Sequence, residues 1–139
     1  MTFLSSFQLF VEGKPVPQGS KKAFKRGNQI VLVEANPALK QWRADVCLAA
    51  KLELMAQNCV EPFTDAVHVS YTFIIPRPVS VKRLWPSVAP DLDKLIRAVN
   101  DSLTDARVWS DDSLVVSLDA VERYAENEPP GVYLTVTPK

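Results

Sequence analysis

From Val67 to Ile75 apolar residues alternate with polar ones: Val67, Val69, Tyr71, Phe73 and Ile75 fall on one side, His68, Ser70 and Thr72 on the other. Period two of this kind predicts a β-strand with one face in a core. Phe7, Leu9 and Val11 alternate with Gln8, Phe10 and Glu12 in the same way, and the apolar run Ile30 to Val33 follows a Gly27-Asn28 turn, so two further strands are expected. Behind Asn36-Pro37, an N-cap residue followed by proline at the first helical position, Leu39, Trp42, Val46, Ala49 and Ala50 recur at helical spacing and predict a helix from about Pro37 to about Gln57. Leu92, Leu95, Ile96, Val99 and Leu103 predict a shorter amphipathic helix. Val115 to Tyr124 and Val132 to Val136 read as closing strands joined around Glu128-Pro129-Pro130-Gly131. Gly13 to Lys22 is too rich in Gly and Pro for helix or strand and reads as an exposed basic loop, and Pro76 to Pro90, with four prolines, reads as a second loop. The expectation is one α+β (mixed α/β) domain over residues 1–139, a small mixed sheet packed with two main helices.

Composition narrows the class. A chain of 139 residues with 47% hydrophobic content is long enough to bury one sizeable core. It has no apolar stretch long enough to cross a bilayer, and Met-Thr-Phe-Leu-Ser-Ser-Phe lacks the charged start and apolar run of a secretory signal, so a cytoplasmic protein is expected. Cys47 and Cys59 lack CxxC spacing, and His68 is the only histidine, which disfavours a zinc site or a disulfide framework and leaves buried, reduced thiols. His68 itself, on the polar side of its strand, reads as structural.

Net charge is zero, yet the charges are segregated. Gly13 to Val33 holds Lys14, Lys21, Lys22, Lys25 and Arg26 without an acid, and Ala66 to Pro90 holds Arg77, Lys82 and Arg83, again without an acid. Ten of the 16 acids lie between Asp91 and Glu128. Such separation lets basic loops hold a polyanion while an acidic cluster binds metal.

The acidic cluster carries the candidate chemistry. Pro90-Asp91-Leu92-Asp93-Lys94-Leu95-Ile96-Arg97 is followed by Trp109-Ser110-Asp111-Asp112. Acids that meet in space make an oxygen-only site for Mg²⁺ or Mn²⁺, and the chemistry this suggests is metal-assisted attack on a phosphodiester. Residues two apart lie about 200° apart around a helix, so Asp91 and Asp93 can share an ion only where the motif spans the entry to the helix, with Asp91 extended. Asp93, Arg97 and Asp101 form a polar stripe, for which a solvated face with an i,i+4 salt bridge is the plainer explanation. Asp111-Asp112 before a strand is also a common turn or helix-cap sequence, and only one of two adjacent acids on extended backbone can reach the same ion.

Pro-Asp-Leu-Asp-Lys-Leu-Ile-Arg-Ala-Val-Asn-Asp-Ser-Leu, a short turn and then Val-Trp-Ser-Asp-Asp-Ser-Leu-Val resembles the RusA family of Holliday junction resolvases, endodeoxyribonucleases common in phages and prophages. The distinctive block runs from Pro90 to Val116, and the early strand, basic loop and central helix also follow the family plan. The resemblance implies that Asp91, Asp93 and Asp112 form a Mg²⁺ site, with Mn²⁺ able to substitute. It also implies a homodimer acting on four-way junction DNA. A family lysine implicated in catalysis falls at Arg97, which keeps the charge but cannot transfer a proton at working pH, so phosphate clamping replaces acid-base work there. Lys94 stands where members often carry Asn, and its ammonium can steer the DNA backbone or partly replace that lysine.

The expected activity is in-line hydrolysis of DNA phosphodiesters at branched structures in recombination and repair, with Asp91, Asp93, Asp112 and Arg97 as catalytic residues. Lys14, Lys21, Lys22, Lys25, Arg26, Arg77, Lys82, Arg83 and Lys94 are the expected DNA contacts, positioning phosphates without reading sequence. Two alternatives stay open: a branched-DNA-binding module without cleavage, and a small-molecule phosphohydrolase.

Overall fold

The computed structural model describes residues 4–19, 21–34, 36–58 and 61–139, and for residues 21–24 and 31–34 it describes the backbone alone. Among the described residues six strands and two α-helices follow the order β1 (Phe7–Glu12), β2 (Lys21–Arg26), β3 (Gln29–Glu34), α1 (Pro37–Ala56), β4 (Val67–Ile75), α2 (Leu92–Asp105), β5 (Val115–Tyr124) and β6 (Gly131–Pro138). The main sheet has the order β1-β6-β4-β5, and β2 and β3 form a separate hairpin. This is a single small α+β domain, as the residue pattern predicts.

The row Val67, Val69, Tyr71, Phe73 and Ile75 joins Leu39, Trp42 and Val46 of α1 and Leu95, Val99 and Leu103 of α2 in one core. Both helices therefore cover one sheet face. α1 begins as its sequence dictates, with the Asn36 side chain accepting from the Ala38 N–H and Pro37 following the cap.

One expectation changes. The residues from Gly13 to Lys22 are not one exposed loop, since Pro15 and Val16 are buried and β2 starts at Lys21, pairing with Glu34 across the Gly27-Asn28 turn. Lysine-rich strands read poorly as strands from sequence because their pairing partner, not their own propensity, holds them. β5 and β6 are joined through Glu128 to Gly131 but are not neighbours: β4 lies between them, antiparallel to β6 and parallel to β5. Parallel neighbours need a crossover, and α2 supplies it. Asp91 thus follows the carboxyl end of β4, where open sheets commonly place ligands.

Cys47 is half-buried rather than fully buried and forms no disulfide, and Cys59 lies outside the described residues.

Candidate active site

The Pro76 to Pro90 loop leads from β4 to α2 and is braced from inside. Arg77 donates to the carbonyl oxygens of Arg83 at 2.6 Å and Leu84 at 3.5 Å, and its guanidinium lies 4.3 Å from the centre of the Tyr124 ring. Of the three basic residues of this loop, Arg77 is therefore held internally, while Lys82 and Arg83 are exposed. The preceding segment docks here too: Gln18 N–H donates to the Lys94 carbonyl at 2.9 Å, and exposed Lys14 lines the same cleft as Arg83 and Pro90.

Asp91 is the N-cap of α2 with extended backbone (φ −72°, ψ 138°), as the spacing requires, yet its side chain makes no capping hydrogen bond. A carboxylate in that position ordinarily accepts from the first-turn N–H groups. Left out of that role, it stands 3.5 Å from Lys94 Nζ. Asp93 lies in the first turn and is exposed. Arg97, also exposed, forms no ion pair among the described residues, so the i,i+4 salt bridge expected of the stripe is not made. Asp101 turns instead to Arg43 of α1, 3.9 Å away.

The second acidic segment is set by a rigid turn. α2 ends in a Schellman arrangement in which Arg107 N–H donates to the Thr104 carbonyl and Val108 N–H to the Leu103 carbonyl, both at 3.1 Å, with Arg107 at φ 66°. Trp109 is fully buried and donates from Nε1 to Thr104 Oγ1 at 2.7 Å, so the aromatic anchors the turn as expected. Asp111 then caps a short 3₁₀ helix, Asp112–Leu114, accepting from Ser113 N–H at 3.0 Å. Hydrogen bonds from Ser113 hold its carboxyl below the ordinary carboxylate range. Asp111 is committed to the backbone, whereas Asp112 is exposed beside it.

Acids of different segments act on one another electrostatically. Asp91 acts electrostatically on Glu122 of β5, and Asp112 acts on Asp101. Asp93 and Asp101 are separated by about 12 Å along α2. Among the described residues no three His, Cys, Asp or Glu side chains stand together as a metal cluster. The donor chemistry still fits a hard divalent cation, because it is all oxygen and Mg²⁺ typically takes one or two carboxylates, leaving its other positions to water and substrate phosphates.

Electrostatics mark the same region. Burial, then the charge of Asp91, pushes the Glu122 carboxyl up to about 7. Burial likewise raises Asp101, opposed by Arg43 and then Arg97, and reinforced by Asp112. Glu122 was not among the expected site residues, and in sequence it is one polar position on a strand. Only the parallel register, which pairs it with Phe73, places it on the helix-covered face.

The basic hairpin presents Lys25 and Arg26, both exposed, beside its Gly27-Asn28 tip, and the side chains of Lys21 and Lys22 lie outside the described ones. His68 lies on the other sheet face, 2.6 Å from Ser117 Oγ through Nδ1 and 2.9 Å from Asp119 Oδ2 through Nε2, in keeping with a structural role.

No curated protein matches the chain significantly. The sequence model of the endodeoxyribonuclease RusA family matches residues 12–137, a span that includes the docked Lys14 segment, both acidic segments and every strand from β2 to β5. With nearly the whole of its 139 residues covered, the chain belongs to the RusA endodeoxyribonuclease family.

Proposed function

We propose that the protein is a Mg²⁺-dependent, structure-selective endodeoxyribonuclease that resolves Holliday junctions, acting as a homodimer in the cytoplasm during DNA recombination and repair. Membership of the family supports nuclease action on junctions. The observation that carries the metal-dependent reading is the presence of exposed carboxylates at Asp91 and Asp93, at the entry to α2, and at Asp112, together with an Arg97 that forms no ion pair among the described residues.

Asp91, Asp93 and Asp112 are the residues that would hold the ion. When bound, Mg²⁺ supplies activation of water and neutralisation of charge at phosphorus. Arg97, a fixed cation one helical turn from both Asp93 and Asp101, clamps a phosphate oxygen and stabilises the charge that develops in the transition state. Lys94 holds Asp91 in place and adds positive charge at the mouth of the site. Lys14 and Arg83 line the cleft that reaches Pro90, and Lys82, Lys25 and Arg26 add exposed positive charge elsewhere on the surface. An isologous dimer gives two such sites the two-fold symmetry of a four-way junction.

The test is cleavage of labelled four-way junctions by the wild type and by Asp91→Asn, Asp93→Asn and Asp112→Asn. Loss of cutting with binding kept supports the assignment, and undiminished cutting by any one variant removes that residue from it.

A further inference from the structure

Beside Asp91 a cavity of about 290 Å³ opens between the Pro76 to Pro90 loop and the end of β5. Its walls include Pro86, Val88 and Pro90, and its rim carries exposed Lys14 and Arg83. Glu122 and Tyr124 line it from β5. Tyr124 is only 4% exposed, and among the described residues neither its hydroxyl nor the buried Glu122 Oε2 has a hydrogen-bond partner. Native interiors rarely leave such atoms unsatisfied, and two on residues of one cavity are open to completion by a bound group.

The chemistry selects that ligand. A carboxylate oxygen repels phosphate, so the interior does not take an anion; it takes a neutral group that donates a hydrogen bond, while the rim cations suit an anion at the mouth. The apolar proline walls favour a flat, weakly hydrated ring, and the volume, near the lower end for small-ligand pockets, suits one ring system. Resting on the reading of the chain as a branched-DNA nuclease, we propose that this cavity receives one unpaired base of the junction, bearing an exocyclic amino group that donates to Glu122, with Tyr124 Oη bonding to the base edge and Lys14 and Arg83 on its phosphates. Pro90 lines the cavity and precedes Asp91, so the captured nucleotide adjoins the phosphate to be cut. A base at a branch point costs less to extract than one inside a continuous duplex, which ties the pocket to junction shape. Thymine lacks the amino group and fits worst.

The test uses four-way junctions carrying 2-aminopurine at single crossover positions, in Ca²⁺ so that no strand is cut, with binding followed by anisotropy. Expected is a severalfold rise in 2-aminopurine fluorescence at one position with the wild type, reduced to less than half by Tyr124→Phe and by Glu122→Gln, both of which preserve side-chain shape. Binding without a fluorescence change at any position overturns the pocket and leaves the nuclease reading standing. Failure to bind the junction at all overturns both. In Mg²⁺, cleavage beside cytosine, adenine or guanine should exceed that beside thymine by about tenfold, and Glu122→Gln should bring the ratio towards one. Equal wild-type rates at all four bases overturn the role of the amino group.

Discussion

Strands β4 and β5 carry two polar clusters, one on each face of the sheet, and the two are built on opposite plans. On the open face His68, Ser70, Ser117 and Asp119 satisfy one another: Ser70 Oγ donates to Asp119 Oδ2 at 2.9 Å, His68 bridges Ser117 and Asp119, and these bonds, Ser70 first and His68 second, hold the Asp119 carboxyl low. On the helix-covered face Glu122 and Tyr124 end in atoms unpartnered among the described residues, and Glu122 is pushed up. By composition the first cluster, with Ser, His and Asp, looks like a nucleophilic site. Its internal satisfaction makes it a cross-strand clasp, whereas the second retains the unmet charge and hydrogen bonding that a substrate or ion can meet.

The largest expected difference between the two faces is in catalysis. Asp91→Asn, Asp93→Asn and Asp112→Asn should each lower junction cleavage by about a hundredfold or more, with binding unchanged or tighter because repulsion of phosphate falls. His68→Ala should leave the rate within about twofold, the usual reach of a remote packing change. Asp111→Asn should be milder than Asp112→Asn, since the Asp111 carboxylate is engaged with Ser113 N–H and an amide oxygen can keep that bond. Single-turnover kinetics on one labelled junction ranks all five variants.

Arg97→Ala should cost about tenfold or more in turnover, and Arg97→Lys should recover much of it. Since Arg97 has no ion-pair partner among the described residues, the loss should appear in kcat rather than in melting temperature. The basic hairpin should behave differently again. Lys25→Ala/Arg26→Ala should flatten the dependence of log affinity on log salt by up to about one unit per lost phosphate contact, alike for all sequences. An unchanged slope would turn attention to Lys82 and Arg83.

The smallest effect is on stability, and its sign separates the two faces. Burial, then the charge of Asp91, raises the Glu122 carboxyl in the folded protein from its ordinary 4.5 to about 7, so unfolding releases its proton between those values and stability falls as pH rises through that window. In cation-free buffer, Glu122→Gln should be more stable than wild type above pH 7, by about 1 kcal/mol once solvent screening at this half-exposed position is allowed for, and near parity below pH 4.5. Asp119, held low, works the other way: its stabilisation is present above the ordinary carboxylate range and is lost as pH falls through its lowered pKa. Urea melts of wild type, Glu122→Gln and Asp119→Asn across pH 3–8 would show the two opposite slopes.

The elements with strong periodicity were legible in the sequence, as were the extended backbone at Asp91 and the anchoring by Trp109. β2 was not, because Lys21 to Arg26 has too little apolar alternation to announce a strand and depends on β3 for its pairing. The candidate site, two acidic segments and Arg97, could be proposed from sequence because acids and cations at fixed spacing carry chemistry in their identity. Glu122 and Tyr124 were hidden, since their meaning arises only when a parallel crossover brings the end of β5 beside the Asp91 loop. The same crossover carries the chain along α2, away from Asp91, before the turn that presents Asp112.

The most direct measurement is incubation of purified protein with labelled four-way and linear duplexes, with and without Mg²⁺, beside the Asp112→Asn variant. Expected is Mg²⁺-dependent, paired nicking of the four-way substrate, little cutting of the linear duplex, and binding without cutting by Asp112→Asn. Cleavage that persists in EDTA, or a variant that cuts at the wild-type rate, would contradict a carboxylate-held metal as the centre of this enzyme.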